Sequence, residues 1–385
     1  MIDENRIKKN LERLSFPRLS GTPKEKFAFK LINQDVKELN LSTLTQEFKF
    51  SSFYARIYPK IGFSLAFSLL FIIFLNIKGL FTHLSLISIG IALIIMLLLN
   101  KNPEKIKFGK VFSSQNLIVK YPSKSNEADS IGIFLFAHLD SKGQRLSISI
   151  RIWNFRIWLA SFIISMIAIL LYNNFFFGVI ARLYFLNLIL LSINFFSTFL
   201  ILINSTNNKS DGAVDNASGV VCVLELLKHY LNLEKRLENY DLWFVFTGAE
   251  ECGTMGIRHF CNKFKDIDKK KSIIINFDAI GKVLAYFSSF INPYKNFFLY
   301  NKFQKAAKKL DLRYHFTNRS FGIKSDGLYL KSKGFRGFGF GDLDVYKHVH
   351  SVNDTIDKVD VKLLKKLCIF ITEILKEIDE HKRNN

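Results

Sequence analysis

The chain has 385 residues, enough for one large catalytic domain or for a moderate domain with membrane segments. Hydrophobic residues make up 49% of it and its mean hydropathy is +0.15, although 23% of its residues are charged, so the apolar residues must be concentrated in particular regions. The net charge of +21 does not indicate a nucleic-acid-binding protein, because the lysines are dispersed; a solvated face next to anionic lipid explains it better.

Neither a signal peptide nor a disulfide framework is expected. Residues 1–60 are polar and charged and contain no short apolar core. The four cysteines lie at irregular spacing and form no CxxC pair, which suits a reducing compartment.

Two long apolar regions predict four membrane-spanning helices in two hairpins. The first region covers residues 62–99 and is interrupted only around residues 76–79, and the second covers residues 157–172 and 183–203. Each half approaches the roughly 20 apolar residues that cross a bilayer. The alternative, buried core helices or hairpins that dip into the bilayer, is less favoured because a core helix rarely lacks a polar stripe for so long. Aromatic residues typical of a membrane interface lie near the ends: Trp153, Trp158, Tyr172 and Tyr184.

The basic residues around these regions predict an orientation. Between the paired spans lie only Lys78 and Arg182. The other flanks carry eleven basic residues: Lys49, Arg56, Lys60, Lys101, Lys105, Lys107, Lys110, Arg145, Arg151, Arg156 and Lys209. Because basic residues accumulate on the cytoplasmic side, the N-terminus and the polar remainder of this multi-pass membrane protein are predicted to be cytoplasmic.

Outside the hairpins, apolar runs alternate with helical patterns, which predicts an α/β fold. Three of these runs end in acidic or imidazole groups. Residues 131–137 lead into His138 and Asp140, residues 242–246 into Glu250 and Glu251, and residues 273–277 into Asp278. Ligands of open α/β sheets gather at the carboxyl ends of the strands, so these side chains are expected to converge.

Two further segments add potential ligands. Asp215 precedes a helical run over residues 220–231, and His350 lies in a loop over residues 348–355. An amphipathic C-terminal helix follows that loop, with apolar residues at three-to-four spacing. The loop also contains His348, interpreted as a solvated histidine, and Asp354, interpreted as a brace of the loop.

Imidazole and carboxylate groups together suit zinc or a similar divalent ion. A carboxylate shared by two metal ions would let both act on one water and one substrate oxygen. Glu250 stands beside another carboxylate and could accept the proton of that water. Two adjacent carboxylates after an apolar strand are otherwise unfavourable unless a cation neutralises them.

Six short fragments, preceded by LSFPRLSGTP at residues 14–23, occur in a fixed order. They are AHLDS at 137–141, GAVDNASG at 212–219, GAEE at 248–251, NFD at 276–278, SD at 325–326 and HSVNDT at 350–355. In this order they resemble the zinc exopeptidases of peptidase family 28, the bacterial leucyl aminopeptidase group. The resemblance implies a phosphorylase/hydrolase-like fold, in which helices flank a mixed central sheet, and a peptide substrate.

The resemblance also implies the role of each site residue. His138 and Asp278 would hold one zinc ion, Glu251 and His350 the second, and Asp215 would bridge the two. Glu250 would be the general base. Asp140 would orient His138 from behind. Asp326 would form a hydrogen bond near the pocket.

The hairpins are insertions relative to soluble members of that family. The predicted division is residues 1–56, the N-terminal part of the catalytic domain; 57–100, hairpin 1; 101–152, the first ligand strand; 153–205, hairpin 2; and 206–385, the remaining ligands. Hairpin 1 would interrupt a β-hairpin between residues 47–50 and 116–119. Hairpin 2 follows a ligand directly, which motivates the hypothesis of an active site that opens near the membrane.

Two alternatives remain open. A glutaminyl-peptide cyclotransferase is similar in fold but works with one zinc ion, and residues 138–142 are compatible with it. A non-catalytic receptor or scaffold would have lost ligands, and none is missing here. The sequence leaves open whether the N- or the C-terminal residue of a peptide would be removed, and it leaves the oligomeric state undecided.

Overall fold

A computed structural model describes the chain except residues 78, 126–130, 175–176, 288–296, 318–323, 343 and 384–385. Its helices are α1 (Glu4–Leu14), α2 (Pro23–Glu38), α3 (Phe53–Arg56), α4 (Tyr58–Leu75), α5 (Leu80–Leu99), α6 (Ile148–Asn174), α7 (Phe177–Ile203), α8 (Ser218–Tyr230), α9 (Met255–Lys263), α10 (Phe297–Lys309), α11 (Asp326–Ser332) and α12 (Val361–Arg383). Its strands are β1 (Leu44–Ser51), β2 (Val111–Tyr121), β3 (Ile131–His138), β4 (Gly143–Gln144), β5 (Thr206–Asn207), β6 (Tyr240–Thr247), β7 (Ile273–Phe277), β8 (Leu284–Phe287), β9 (His315–Thr317) and β10 (Arg336–Asp342).

The chain divides into two compact units. The sheet unit comprises Met1–Phe50, Phe112–Gly143 and Asn207–Asn385, and the helical unit comprises Ser51–Val111 and Gln144–Thr206.

The sheet unit is built on a mixed eight-stranded sheet in the order β1-β2-β6-β3-β7-β10-β8-β9. The strands β6, β3, β7 and β10 are parallel to one another, whereas β2 and β8 run antiparallel to their neighbours β6 and β10. The predicted α/β fold with a mixed central sheet flanked by helices is therefore confirmed. The strands β1 and β2 are neighbours, as expected for residues 47–50 and 116–119.

Both faces of this sheet are covered by helices. Phe134 and Phe136 of β3 share one buried cluster with Phe260 of α9 and Leu330 of α11. Side chains of a strand alternate between faces, so Leu135 points to the opposite face, where α8 packs against β3, β6 and β7. Burial on both faces explains why β3 is a continuous apolar run.

The C-terminal helix α12 covers α8 and buries the apolar stripe that the sequence predicts. Its side chains at positions 364, 368, 371, 375 and 378 are fully buried. The helix α1 packs against both α8 and α12.

Among the described residues, the helical unit contains four helices that are long and apolar enough to cross a membrane: Tyr58–Leu75, Leu80–Leu99, Ile148–Leu171 and Leu183–Ile203. The break between the first two lies at residues 76–79, as the hydropathy predicts. Helix α6 begins at Ile148, earlier than the predicted apolar run that starts at residue 157. Hydropathy did not predict this start, because the first turns of α6 also carry polar and basic residues.

A seam of polar side chains joins α6 to α7. The Nδ2 group of Asn194 donates to the backbone oxygen of Trp158 at 2.9 Å and to Oγ of Ser161 at 3.0 Å. The indole of Trp158 donates to Thr198 at 3.0 Å, and Asn154 donates to the backbone oxygen of Ser197 at 2.9 Å. Trp158 is consequently buried inside the helical unit, although the sequence predicted a position at the membrane interface. Trp153 is exposed. The side chain of Tyr172 lies outside the described residues.

Candidate metal centre

Three adjacent parallel strands deliver site residues to one edge of the sheet. His138 is the last residue of β3, Asp278 directly follows β7, and Glu250 and Glu251 form a short turn just beyond β6. Asp215 reaches the same place from the turn that precedes α8, and His350 reaches it from the segment between β10 and α12. The carboxyl ends of the parallel strands therefore meet where ligands of open α/β sheets bind.

The five predicted ligands form two groups that share Asp215. Nε2 of His138 lies 3.0 Å from Oδ1 of Asp215 and 3.5 Å from Oδ1 of Asp278. Nε2 of His350 lies 3.2 Å from Oδ2 of Asp215 and 2.9 Å from Oε1 of Glu251. In each group of three residues the donor atoms lie within 4.8 Å of one another. The two oxygens of Asp215 thus face different groups.

The donor atoms fit a divalent metal ion. Among the described residues, Nε2 of His138, Oδ1 of Asp215 and Oε1 of Glu251 are buried, and the close contacts that they make do not have hydrogen-bond geometry. Buried polar atoms without partners are unfavourable unless a cation or water satisfies them. Nitrogen and oxygen donors of histidine and carboxylate are those that zinc accepts. The site therefore suits zinc in chemistry and in burial.

The electrostatics of the imidazoles reflect this acidic surrounding. Burial lowers the pKa of His138, but Asp140, Asp215 and Asp278 outweigh it and raise the pKa well above 6.5. Burial also lowers the pKa of His350, and its acidic neighbours, with Glu251 the largest contributor, reverse that effect. The acidic neighbours thus favour the protonated form of both imidazoles, and a metal ion would compete with those protons.

Glu250 and Glu251 are adjacent but respond oppositely to their surroundings. Burial raises the pKa of Glu250 well above 4.5, and the neighbouring carboxylates add to this against the opposing effect of His138. Burial also raises the pKa of Glu251, but His350 and Lys142 outweigh it and lower the pKa to about 2. Glu250 is therefore suited to hold a proton and Glu251 to remain ionised.

Asp140 supports this turn as well as His138. Its carboxylate accepts the backbone N–H groups of Glu250 and Glu251, each at 3.0 Å, and the hydroxyl of Ser20. Nδ1 of His138 lies 3.1 Å from the backbone oxygen of Asp140 and 3.5 Å from its carboxylate. The nearest acceptor that can orient His138 is thus the backbone of Asp140, while its carboxylate positions the Glu250–Glu251 turn.

The N-terminal segment supplies three buried supports to which sequence reasoning assigned no role. The guanidinium of Arg18 donates to the backbone oxygens of Leu139 at 2.6 Å and Gly212 at 2.8 Å, and so joins two ligand segments. Glu25 accepts from the backbone N–H of Ala249 at 3.0 Å. Ser20, described above, is the third support. The only sequence signal was the fragment at residues 14–23, which marks the segment but gives no partners.

The remaining residues singled out in the sequence lie around the centre. Asp354 accepts from the backbone N–H of Val214 at 2.7 Å and of Asp215 at 3.3 Å, so it braces the Asp215 segment. Asp326 accepts from the hydroxyl of Thr247 at 2.5 Å, and burial raises its pKa to about 7. His348 does not belong to either metal-ligand group found among the described residues.

Comparisons with known proteins place this fold and site beside those of peptidases. The sequence profile of peptidase family M28 matches residues 197–374, a range that contains the site residues Asp215, Glu250, Glu251, Asp278 and His350 but not His138. No curated protein sequence matches the chain significantly.

Solved structures of similar fold are mostly aminopeptidases. The aminopeptidase from Aneurinibacillus sp. strain AM-1 is 14% identical, covers 98% of this chain and 94% of its own, and has a TM-score of 0.59. The zinc aminopeptidase BSAP from Bacillus subtilis is 15% identical, with coverages of 98% and 96% and a TM-score of 0.58. A glutaminyl cyclase from Fimbriiglobus ruber is 15% identical, with coverages of 97% and 95% and a TM-score of 0.55. The chain therefore shares its mixed α/β fold with these enzymes.

Proposed function

We propose that the protein is a membrane-embedded exopeptidase with two zinc ions, and that it removes N-terminal residues from peptides. The observation that carries this proposal is the pair of ligand groups that share Asp215. The profile match to a peptidase family supports a peptide substrate. The similar fold of the aminopeptidase from Aneurinibacillus and of the zinc aminopeptidase BSAP supports the N-terminal specificity.

Each ligand has a role in this proposal. His138 and Asp278 would hold one ion and Glu251 and His350 the other, with Asp215 shared between the two groups. When bound, the pair of ions supplies Lewis acidity for a water and for the scissile carbonyl. The Asp140 carboxylate keeps the Glu250–Glu251 turn in place through two backbone N–H groups.

Glu250 moves the proton. Its buried carboxyl group has a raised pKa, so it is a stronger base than an exposed glutamate. It accepts the proton of the attacking water at a carboxylate oxygen and then passes that proton to the nitrogen of the leaving amine. Glu251 cannot take this role, because it pairs with His350 and Lys142.

The second candidate is a glutaminyl-peptide cyclotransferase. The Fimbriiglobus ruber cyclase has a similar fold, and this observation alone favours the candidate. A reaction that needs one zinc ion leaves the second ligand group without a purpose. The scaffold alternative has less support still, because all five ligand side chains converge.

The helical unit carries the membrane part of the proposal. Its four apolar helices meet the length and composition of membrane spans. The excess of basic residues outside the paired spans favours a cytoplasmic catalytic part.

The deciding experiment measures products and bound zinc together. Detergent-purified protein is supplied with zinc and incubated with a peptide panel that includes N-terminal Gln peptides, and mass spectrometry identifies the products. The expected result is loss of one N-terminal residue and about two zinc ions per chain. Glu250→Gln should retain zinc but lose at least about a hundredfold in rate.

The other outcomes separate the alternatives. Loss of a C-terminal residue would be consistent with the two-zinc chemistry, but the protein would then be a carboxypeptidase. Loss of ammonia from Gln peptides alone would establish the cyclotransferase. A protein that forms no product and binds no zinc would be a scaffold.

A further inference from the structure

Lys142 is a nearly buried cation beside the Glu251–His350 half of the metal centre, and the proposed chemistry makes no use of it. The other half is formed by His138 and Asp278, and Asp215 belongs to both halves. Its Nζ lies 2.5 Å from Oε2 of Glu251, and its side chain is only 15% exposed. The other oxygen of that carboxylate, Oε1, lies 2.9 Å from Nε2 of His350. Lys142 thus occupies one oxygen of Glu251 and leaves the other for a metal ion.

The two halves of the centre differ in the charged side chain that lies next to their ligands. Lys142 contacts Glu251 directly, and the same carboxylate contacts His350, so the ammonium group lies next to the Glu251–His350 pair. Behind His138 lies the carboxylate of Asp140 instead, 3.5 Å from Nδ1. Within the described part of the chain, no lysine or arginine forms an ion pair with Asp278. The Glu251–His350 half therefore has an ammonium group as its neighbour, and the His138–Asp278 half has a carboxylate.

Arg18 does not cancel this difference. Its guanidinium binds backbone carbonyl oxygens, including those of Leu139 and Gly212, and makes no direct ion pair with a ligand. It interacts with the carboxylates of Asp354, Asp140 and the shared Asp215. Because Asp215 belongs to both halves, the interaction of Arg18 with Asp215 does not favour one half over the other, whereas the ion pair of Lys142 is with Glu251 of one half.

We propose, on the basis of the two-ion centre argued above, that Lys142 makes the Glu251–His350 half the weaker zinc site. An ammonium group at hydrogen-bond distance from a ligand carboxylate offsets the charge that attracts a divalent ion, and this effect is large in a buried site. It also restricts Glu251 to a single coordinating oxygen. Lys142 is a positioning residue that causes the two ions to bind with unequal affinity, the His138–Asp278 half being filled first.

The test is a zinc titration of the full-length protein in detergent, after removal of metal, against a chromophoric chelator. The wild type is expected to bind two ions in two steps. Lys142→Met, of similar length but without charge, should tighten the weaker step by roughly tenfold or more and leave the tighter step unchanged. Lys142→Arg, which keeps the charge, should resemble the wild type. His350→Ala identifies the weaker step by removing it.

The matched control is Lys347→Met. Lys347 forms a 3.1 Å ion pair with Asp344 in the segment that leads to His350, but it is 57% exposed and touches no ligand. Its replacement should leave both zinc steps unchanged. Equal wild-type affinities, or a Lys142→Met variant whose weaker step is unchanged or weaker still, would overturn the proposal.

Failure of the two-ion centre itself would give a different result. A wild type that binds one ion contradicts the proposed function, and the His138→Ala and His350→Ala variants then locate that ion. An ion lost only with His350 would lie in the Lys142 half and would also overturn the present inference. If the single ion is lost only in His138→Ala, and if Lys142→Met binds a second ion, the result would support the present inference.

Discussion

At the scale of single residues, neighbours in sequence acquire opposite properties from their surroundings. Glu250 and Glu251 have the same side chain, yet burial and nearby carboxylates raise the pKa of the first, whereas His350 and Lys142 lower that of the second. Carboxyl groups whose pKa values are driven apart in this way are those that divide base and ligand roles. The sequence suggests the pair, but only the contacts distinguish its members.

The imidazoles yield a prediction for the pH dependence of zinc binding. The acidic groups around His138 and His350 raise the pKa of both rings, so each ring keeps its proton to a higher pH than an ordinary histidine does, and zinc must displace those protons. Lower pH should therefore weaken zinc binding. The affinity should continue to rise above pH 7, by up to about tenfold per pH unit for each proton displaced.

Chelator competition at a series of pH values measures this slope, and calorimetry in buffers of different ionisation enthalpy counts the released protons. His259→Gln serves as the control, because His259 stacks on Phe48 away from the ligands and its loss should leave the slope unchanged. A zinc affinity that is constant above pH 7 would contradict the prediction.

At the scale of elements, the turn between α1 and α2 holds the ligand segments together. Arg18, 1% exposed, binds the backbone of the segment after β3 and of the segment before α8. Glu25, also buried, binds the turn after β6. These residues contribute backbone hydrogen bonds to places where the strands have ended and no ladder partner remains.

Replacement of Arg18 by Met should destabilise the fold and the metal centre together. Several buried carbonyl oxygens would lose their donor, which should lower the free energy of unfolding by about 3 kcal/mol or more. The misplaced ligand segments should also lower zinc affinity by roughly tenfold. Thermal unfolding and zinc titration measure the two effects.

Arg13→Met is the control for this substitution. Arg13 forms a half-buried ion pair with Asp35 in the same N-terminal region but does not touch a ligand segment. Its loss should cost about 1 kcal/mol or less and leave zinc affinity intact. An Arg18→Met protein that binds zinc as the wild type does would show that Arg18 stabilises the fold alone.

At the scale of the whole molecule, the sheet unit and the helical unit differ in the kind of side chain that they expose. The helical unit carries large apolar side chains that are exposed, such as Phe81 at 85% and Leu97 at 66%. Exposed apolar surface of this extent is unfavourable in water and expected in lipid. The polar seam between α6 and α7 provides the interhelical hydrogen bonds that membrane helices use in place of the hydrophobic effect.

The predicted topology can be tested by cysteine labelling in intact cells. In a Cys261→Ser background, Gly79→Cys lies between the first two spans and Lys101→Cys lies after them. An impermeant maleimide should label Gly79→Cys in intact cells and Lys101→Cys only after lysis. The protein should also remain in the membrane fraction after alkaline extraction. Labelling of both positions from outside would reject the spans, and the reversed pattern would reject the orientation.

The fold class could be read from the sequence because local patterns specify it. The continuous apolar run of β3 reflects burial on both faces, and the three-to-four spacing in α12 reflects its packing on α8. The four long helices follow from hydropathy alone. The start of α6 at Ile148 could not be read in this way, because polar and basic residues interrupt the apolar pattern in its first turns.

The sequence by itself determined the α/β fold, the apolar helices and the types of residue available to bind a metal ion. These depend on periodicity and composition, which are local. Only the tertiary structure decided that Lys142 pairs with Glu251, that Arg18 reaches Leu139 and Gly212, and that the Asp140 carboxylate holds the turn after β6. Such contacts join residues more than a hundred positions apart, and they exist only because folding brings the ends of β3, β6 and β7 to one edge of the sheet.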